Sequence, residues 1–580
     1  MTGFIGRYAV GKPGKPQYPG RILASAVLAI AILLTLNPLA ALAAPNPGAF
    51  TTLDGAGADR DLGTGPSKDY MTVSLNLTQQ SFVRVSFSGY AYAKSSAGGT
   101  ITPGCPCLVR GELRADGETK QIVTRTALST DADDVVADPA ATPAVAAADR
   151  RDFSGSHVFS LPAGNHTFVM SLTREVGTAQ NVGFAFGRMQ AVAVAGASQD
   201  NFAVLDGAGA DRDLGADAAR DYMTTKLTTT QQSFVRVSFT GYAYAKSSAG
   251  NTQTAGCPCL VRGELRADQE AKQIVTRTVL STDANDVVAD PAATPAVAAA
   301  DRRDFSGSTV YSLPAGEHTF VMSLAREVGT AQNVGFAFGR MQAEVLPDLT
   351  QAMVATLDGA GADRDLGAGP SKDYMTVTVT VPSAAVVRVG FTGYAFAKSS
   401  AGNTQTTGCP CLVRGELRAN QEAKQIVTRS VVGTDPNDIV ADPAATPAVA
   451  AADRRNFSGS HVFSVPAGTH TFVMSLTREV GTAQNVGFAF GRMQAEVLNA
   501  PAAASPSPAP SATPAPSAQP TATPVPPTPT PVAPQPMPGL PNTGGGASAT
   551  GTSTLALALG GLGLLSAAVV AAVALRRRTI

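Results

Sequence analysis

Between residues 50 and 498 the chain repeatedly alternates apolar and polar positions with a period of two. Met71, Val73, Leu75 and Leu77 alternate with Thr72, Ser74 and Asn76. Val83, Val85 and Phe87 alternate with Arg84 and Ser86, and Phe168, Met170 and Leu172 with Thr167, Val169 and Ser171. Such a pattern predicts antiparallel strands with one face on a core and the other in water. Further strands are expected at Leu108–Arg114, Gln121–Leu128, His157–Leu161 and Val182–Val194, with a turn at Leu161-Pro162-Ala163-Gly164. Residues Ala137 to Asp152 break the alternation. They are Ala-rich and read as a long loop or a short helix.

The whole pattern is written three times. Residues 50–194, 202–346 and 354–498 align without gaps at an offset of 152, so Leu53-Asp54-Gly55 recurs at Leu205-Asp206-Gly207 and Leu357-Asp358-Gly359. A unit of 145 residues is long enough to be a domain, unlike the short repeats of solenoids. About seven or eight short strands per unit predict an all-β chain of three tandem β-sandwich or jelly-roll-like domains.

The two ends differ from this body. Residues 1–43 read as a signal peptide: a basic stretch closed by Arg21, an apolar core from Ile22 to Leu36, and the small-x-small pattern Ala41-Leu42-Ala43. Residues 499–539 form a Pro/Ala/Ser/Thr-rich stalk, which cannot bury a core and is expected as an extended, disordered linker. Charge follows the same division. Lys plus Arg equals Asp plus Glu at 44 each, but seven of the cations lie in the two ends, leaving the body acidic by seven. An acidic body argues against nucleic acid as a partner.

Candidate chemistry within the repeats is sparse. Cys105-Pro106-Cys107 recurs at Cys257-Pro258-Cys259 and Cys409-Pro410-Cys411. In an exported protein the expected fate is local disulfides, Cys105–Cys107, Cys257–Cys259 and Cys409–Cys411, although a fully extended spacing would strain them. A soft-metal or redox site and interchain bridging are the alternatives. The acidic, glycine-rich loop holding Asp54, Asp59 and Asp61 is either a solvated turn or a calcium site through oxygen ligands; no other cofactor is expected.

Tyr90 and Tyr92 share a face and are expected in the core rather than as a sugar platform. His166, His318 and His470 read as structural, and His157, replaced by Thr309 in the second copy, as an exposed strand position. No G-x-S-x-G elbow, HExxH helix or paired Glu stands out, so the chain is expected not to be an enzyme. The competing expectation is a surface-displayed enzyme or metal/redox module built on the Cys-Pro-Cys sites.

Leu540-Pro541-Asn542-Thr543-Gly544 is followed by the apolar run Leu555 to Leu575 and then by Arg576-Arg577-Arg578. In that order residues 540–580 resemble the sorting signal of LPXTG-type, sortase-anchored cell-wall surface proteins. The run is long enough for a transmembrane span, and the basic cluster obeys the positive-inside rule. The resemblance implies that Leu540 and Pro541 fit a sortase groove and that a sortase thiolate attacks the carbonyl of Thr543. The segment from Gly544 onward then leaves, and Thr543 is joined to peptidoglycan. Sortase and peptidoglycan are the implied partners, with the membrane touched only through the span before processing. The expected role is a cell-wall surface protein whose three repeats serve adhesion to an extracellular ligand or build a structural rod. Some cell-wall adhesins also carry internal Lys–Asn isopeptide bonds, for which Lys94/Asn181, Lys246/Asn333 and Lys398/Asn485 are the formal candidates.

Overall fold

The computed structural model describes residues 48–54, 60–94, 104–128, 148–194, 196–207, 212–246, 256–280, 300–346, 350–359, 364–398, 408–433 and 452–498. The signal peptide, the stalk, the sorting motif, the span 555–575 and Asp59 lie outside them.

Each repeat is a β-sandwich of nine strands. In the first these are β1 (Gly48–Leu53), β2 (Ser67–Leu77), β3 (Ser81–Lys94), β4 (Cys107–Ala115), β5 (Gln121–Leu128), β6 (Ala148–Asp152), β7 (Gly155–Leu161), β8 (Gly164–Val176) and β9 (Val182–Val194). One sheet has the order β1-β9-β3-β6, with β7 also paired to β3; the other has the order β2-β8-β4-β5. Every pairing is antiparallel. The second and third repeats have the same two sheets.

The period-two residues form the core as their alternation requires. Met71, Val73, Leu75 and Leu77 of β2 face Val83, Val85 and Phe87 of β3 and Phe168, Met170 and Leu172 of β8 in one buried cluster. Aromatic rings lock its centre: Phe87 meets Phe184 edge to face, with centroids 5.9 Å apart at 88°. Two strands lie beyond those the pattern predicted. β1 is a half-buried edge. β6, Ala-Asp-Arg-Arg-Asp, carries no apolar alternation at all. The described part of the segment expected as a loop or helix is therefore a strand, paired to Tyr90–Lys94 of β3.

The polar faces of the strands do not all meet water. Arg84, on the outward face of β3, is 2% exposed, and Asp149, Arg150, Arg151 and Asp152 of β6 are all buried. What covers them is another repeat. β5 of the first repeat packs against the strand Ala300–Asp304 of the second. The second repeat's Gln273–Leu280 packs in the same way on Ala452–Asn456 of the third, and the third repeat's Gln425–Val432 on β6 of the first. The three sandwiches thus close into a ring about a pseudo-threefold axis, within one compact unit.

Candidate functional site

The ring interfaces are built from side chains that the repeats supply in equivalent positions. Thr124 donates to Asp304 at 2.6 Å, Thr276 to Asn456 at 2.8 Å and Thr428 to Asp152 at 2.8 Å. Beside each bond an arginine lies over the next repeat's phenylalanine. Arg125 is 4.7 Å from the Phe338 ring centroid, Arg277 4.8 Å from Phe490, and Arg429 5.0 Å from Phe186. Phe186 takes a positive φ of 49°, a conformation costly for a bulky residue. That backbone twist belongs to the irregular pairing of β3 with β9. Phe186 then stacks on Tyr90, centroids 5.9 Å apart, and receives Arg429, contacts that offset the strain.

Two charge clusters sit where the repeats converge. In the first, Asn456 Nδ2 donates to Asp152 at 2.9 Å and to Asp304 at 3.1 Å, while Ser458 donates to Asp152 and Ser154 to Asp304. Burial and the facing Asp304 push the Asp152 carboxyl well above the usual range, and burial pushes Asp304 up to about 7. A third aspartate would add a further buried like charge; asparagine supplies donors instead. The second cluster gathers Arg84, Arg236 and Arg388, one from each repeat, with Glu344 and Glu496. The first repeat has Val192 where the others have these glutamates. Arg236 reaches Glu344 at 2.5 Å and Glu496 at 2.9 Å, Arg84 pairs with Glu344, and Arg388 reaches Glu496 at 3.5 Å.

Most of the residues singled out in the sequence, the cysteines and the acidic loop among them, fall elsewhere. Cys105 and Cys107 are bonded, as are Cys257 with Cys259 and Cys409 with Cys411. Their Cα atoms are 4.4–4.5 Å apart, not at the wider spacing of an extended chain, and each Cys-Pro peptide is cis. The thiolates are thus spent on each other, which removes them as metal ligands. Gly177, at φ 91°, packs on this bridge so closely that a Cβ would stand 2.6 Å from Cys107 Sγ.

The acidic loop is divided among different cations. Asp61 accepts from Lys94 Nζ at 2.8 Å and Tyr92 Oη at 2.7 Å, whereas Asp54 pairs with Arg188 at 2.9 Å. Among the described residues no group of three or more His, Cys, Asp or Glu could hold a metal. The Lys94 ammonium is taken by Asp61, and what joins Lys94 to Asn181 is a backbone bond, Lys94 N to Asn181 O at 3.1 Å. Tyr90 and Tyr92 are fully buried, but in a separate cluster with Ala185 and not in the main core. His166 is held at both ring nitrogens, by Asp116 at 2.8 Å and the Pro162 carbonyl at 2.9 Å.

His157 departs from its expected exposed place. It lies at the interface of the first two repeats, where Arg340 Nε donates to its Nδ1 at 3.1 Å. His461 takes the same bond from Arg188 between the third and first repeats. Burial, with the adjacent arginine, pushes each histidine down to about 4.

The sequence matches no protein-family model and no curated protein. Among solved structures it is similar to a peptide-N(4)-(N-acetyl-β-D-glucosaminyl) asparagine amidase, at 9% identity and a TM-score of 0.26 over 52% of this chain and 97% of that one. It is also similar to PNGase F, a glycosylasparaginase from Flavobacterium meningosepticum, at 10% identity and a TM-score of 0.24 over 51% and 96%. A third match is a triple jelly-roll protein of an archaeal virus, at 9% identity and a TM-score of 0.16 over 76% and 91%. The expectation that the chain is not an enzyme is corrected here. It rested on missing motifs alone, and the matched structures include amidases. At such TM-scores the likeness assigns no activity to this chain.

Proposed function

We propose that this is an exported cell-surface protein, joined to peptidoglycan through Thr543 by a sortase, that displays the three-repeat ring as a compact head. The observation that carries the reading is the order of Leu540–Gly544, the apolar run 555–575 and Arg576–Arg578, preceded by an uncharged Pro-rich segment and, far upstream, by an export signal. The ring favours a compact head over a rod. The third repeat returns to the first through Thr428 and Asp152, whereas a rod would leave those two repeats apart. Adhesion to an extracellular ligand is the role such a displayed head would serve.

Mass spectrometry of wall-digested protein tests the anchor. The expected product ends at Thr543 and carries a peptidoglycan fragment on its carboxyl. Recovery of wall or membrane material that retains residues 544–580 would overturn the proposal.

A further inference from the structure

On the axis of the ring lies a half-open cavity of about 110 Å³, many times what one water needs. Arg84, Arg236 and Arg388 line it, and none of Glu344, Glu496, Asp152 or Asp304 does. Three guanidiniums there face two carboxylates, because Val192 stands in for the third. One positive charge is left over, shared among two buried guanidiniums, Arg84 and Arg236, and the partly buried Arg388.

The charge is unevenly shared. Arg84 Nε, Arg236 Nε and Arg388 Nε donate to no protein acceptor, and Arg84 Nη2 reaches only the ion-pair distance of 3.8 Å from Glu496, although Arg84 and Arg236 are only 2% and 3% exposed. Burial and the nearby Arg236 charge push Arg388 down to about 10, as expected of a cation without a full counter-charge.

The rest of the lining mixes Phe87, Phe239 and Phe391, glycines, Gln342 and Gln494 with serine and threonine hydroxyls, and the hydroxyls meet in pairs. Ser156 and Thr240 pair at 3.1 Å, Ser308 and Thr392 at 3.2 Å, and Ser88 and Ser460 at 3.2 Å, one pair at each junction of the ring. Within a pair one proton is used between the two oxygens and the other remains free to donate. Three such pairs present three donors with the symmetry of the axis, beside a surplus of guanidinium.

We propose that this cavity binds one small tetrahedral oxyanion, of the sulfate or phosphate class, per chain. The anion would accept from the arginines and the hydroxyl pairs, supply the counter-charge that Val192 omits, and tie the three repeats together. A bound anion of this kind stabilises the closed ring by mass action.

The test is calorimetric titration of the full chain with sodium sulfate and with sodium phosphate at fixed ionic strength, with chloride as the comparison anion. Saturable binding of one sulfate or phosphate is expected, accompanied by a rise in melting temperature that chloride does not give. Val192→Glu restores the third carboxylate at a position where the other repeats already hold one. It should melt cooperatively at a higher temperature without anion and bind sulfate and phosphate at least about tenfold more weakly. Thr240→Val, which keeps the shape but removes a hydroxyl, should weaken binding by roughly tenfold whether or not Val192→Glu folds. Absence of saturable binding, an equal response to chloride, or unchanged affinity in a folded variant would each overturn the proposal.

Discussion

Thr428 of the third repeat donates its hydroxyl to Asp152 of the first across 2.8 Å, and with that bond a tandem array becomes a ring. Asp152 also accepts from the Ser458 hydroxyl and backbone N–H and from Asn456, so three residues of the third repeat converge on one carboxyl group. Asp152→Ala should therefore strand several buried donors and cost about 2–4 kcal/mol. Thr428→Val should cost about 1 kcal/mol. Denaturant unfolding of each variant measures both, and a near-neutral Asp152→Ala would mean that the ring does not close through this contact.

Acid should loosen two of the three junctions. His157 and His461 are held neutral, down to about 4 against an ordinary 6.5, so the folded chain resists protons that the unfolded chain takes up. Their contribution is complete above pH 6.5 and is lost as pH falls from there towards 4, by about 2–3 kcal/mol each. Arg340 and Asp206 face His157, and Arg188 and Asp54 face His461. The buried carboxylates Asp152, Asp304 and Glu344, whose values are raised, act in the opposite sense over the same window. A comparison of the wild type with the double variant His157→Thr, His461→Thr isolates the histidines. The stability difference between the two should shrink or reverse between pH 7 and pH 4.5, and a constant difference would refute the assignment.

A single repeat cut from the chain should not remain alone. Residues 202–346 would expose Arg236, Thr276, Arg277 and Asp304, all covered by neighbouring repeats in the ring. Light scattering should find this fragment as a trimer at micromolar concentration. Its weak point is three facing Asp304 carboxylates where the natural ring has two aspartates and Asn456. Asp304→Asn should accordingly tighten the trimer by roughly tenfold at neutral pH. A stable monomer at every concentration would contradict the interface.

Each Cys-Pro-Cys bridge taken alone should contribute little to stability. A bridge across a separation of two residues closes a minimal loop, so the chain-entropy estimate is about 1–2 kcal/mol per bridge. Unfolding midpoints with and without a phosphine reductant measure this. Gly177→Ala, which places a Cβ against Cys107 Sγ at a positive φ, should cost more than the loss of the bridge itself.

Much of each sandwich can be read from alternation, and β5 and β9 begin and end where the apolar pattern does. β6 escaped because it holds two arginines and two aspartates in five residues and has no apolar face to betray it. The outer face of β3 misled for a different reason. Arg84, Ser86 and Ser88 have the same polarity whether water or another repeat covers them, so period alone cannot tell a solvated face from a polar interface. The useful signal lay in the differences between copies. Val192 against Glu344 and Glu496, and Asn456 against Asp152 and Asp304, fall where the three repeats meet. Replacement of His157 by Thr309 suits an exposed strand position, yet threonine also fits an interface, and Thr309 is 3% exposed.

The unequal residues at the axis have a meaning that only a single chain permits. Three separate copies of one gene product must place the same side chain at every symmetric position, giving all glutamate or all valine, all aspartate or all asparagine. Fusion of the copies frees each position to differ from its symmetry mates, so Val192 and Asn456 can adjust the charge of a shared centre one unit at a time. The centre has thereby become heteromeric inside one polypeptide, with its subunit ratio and order fixed by translation and independent of concentration.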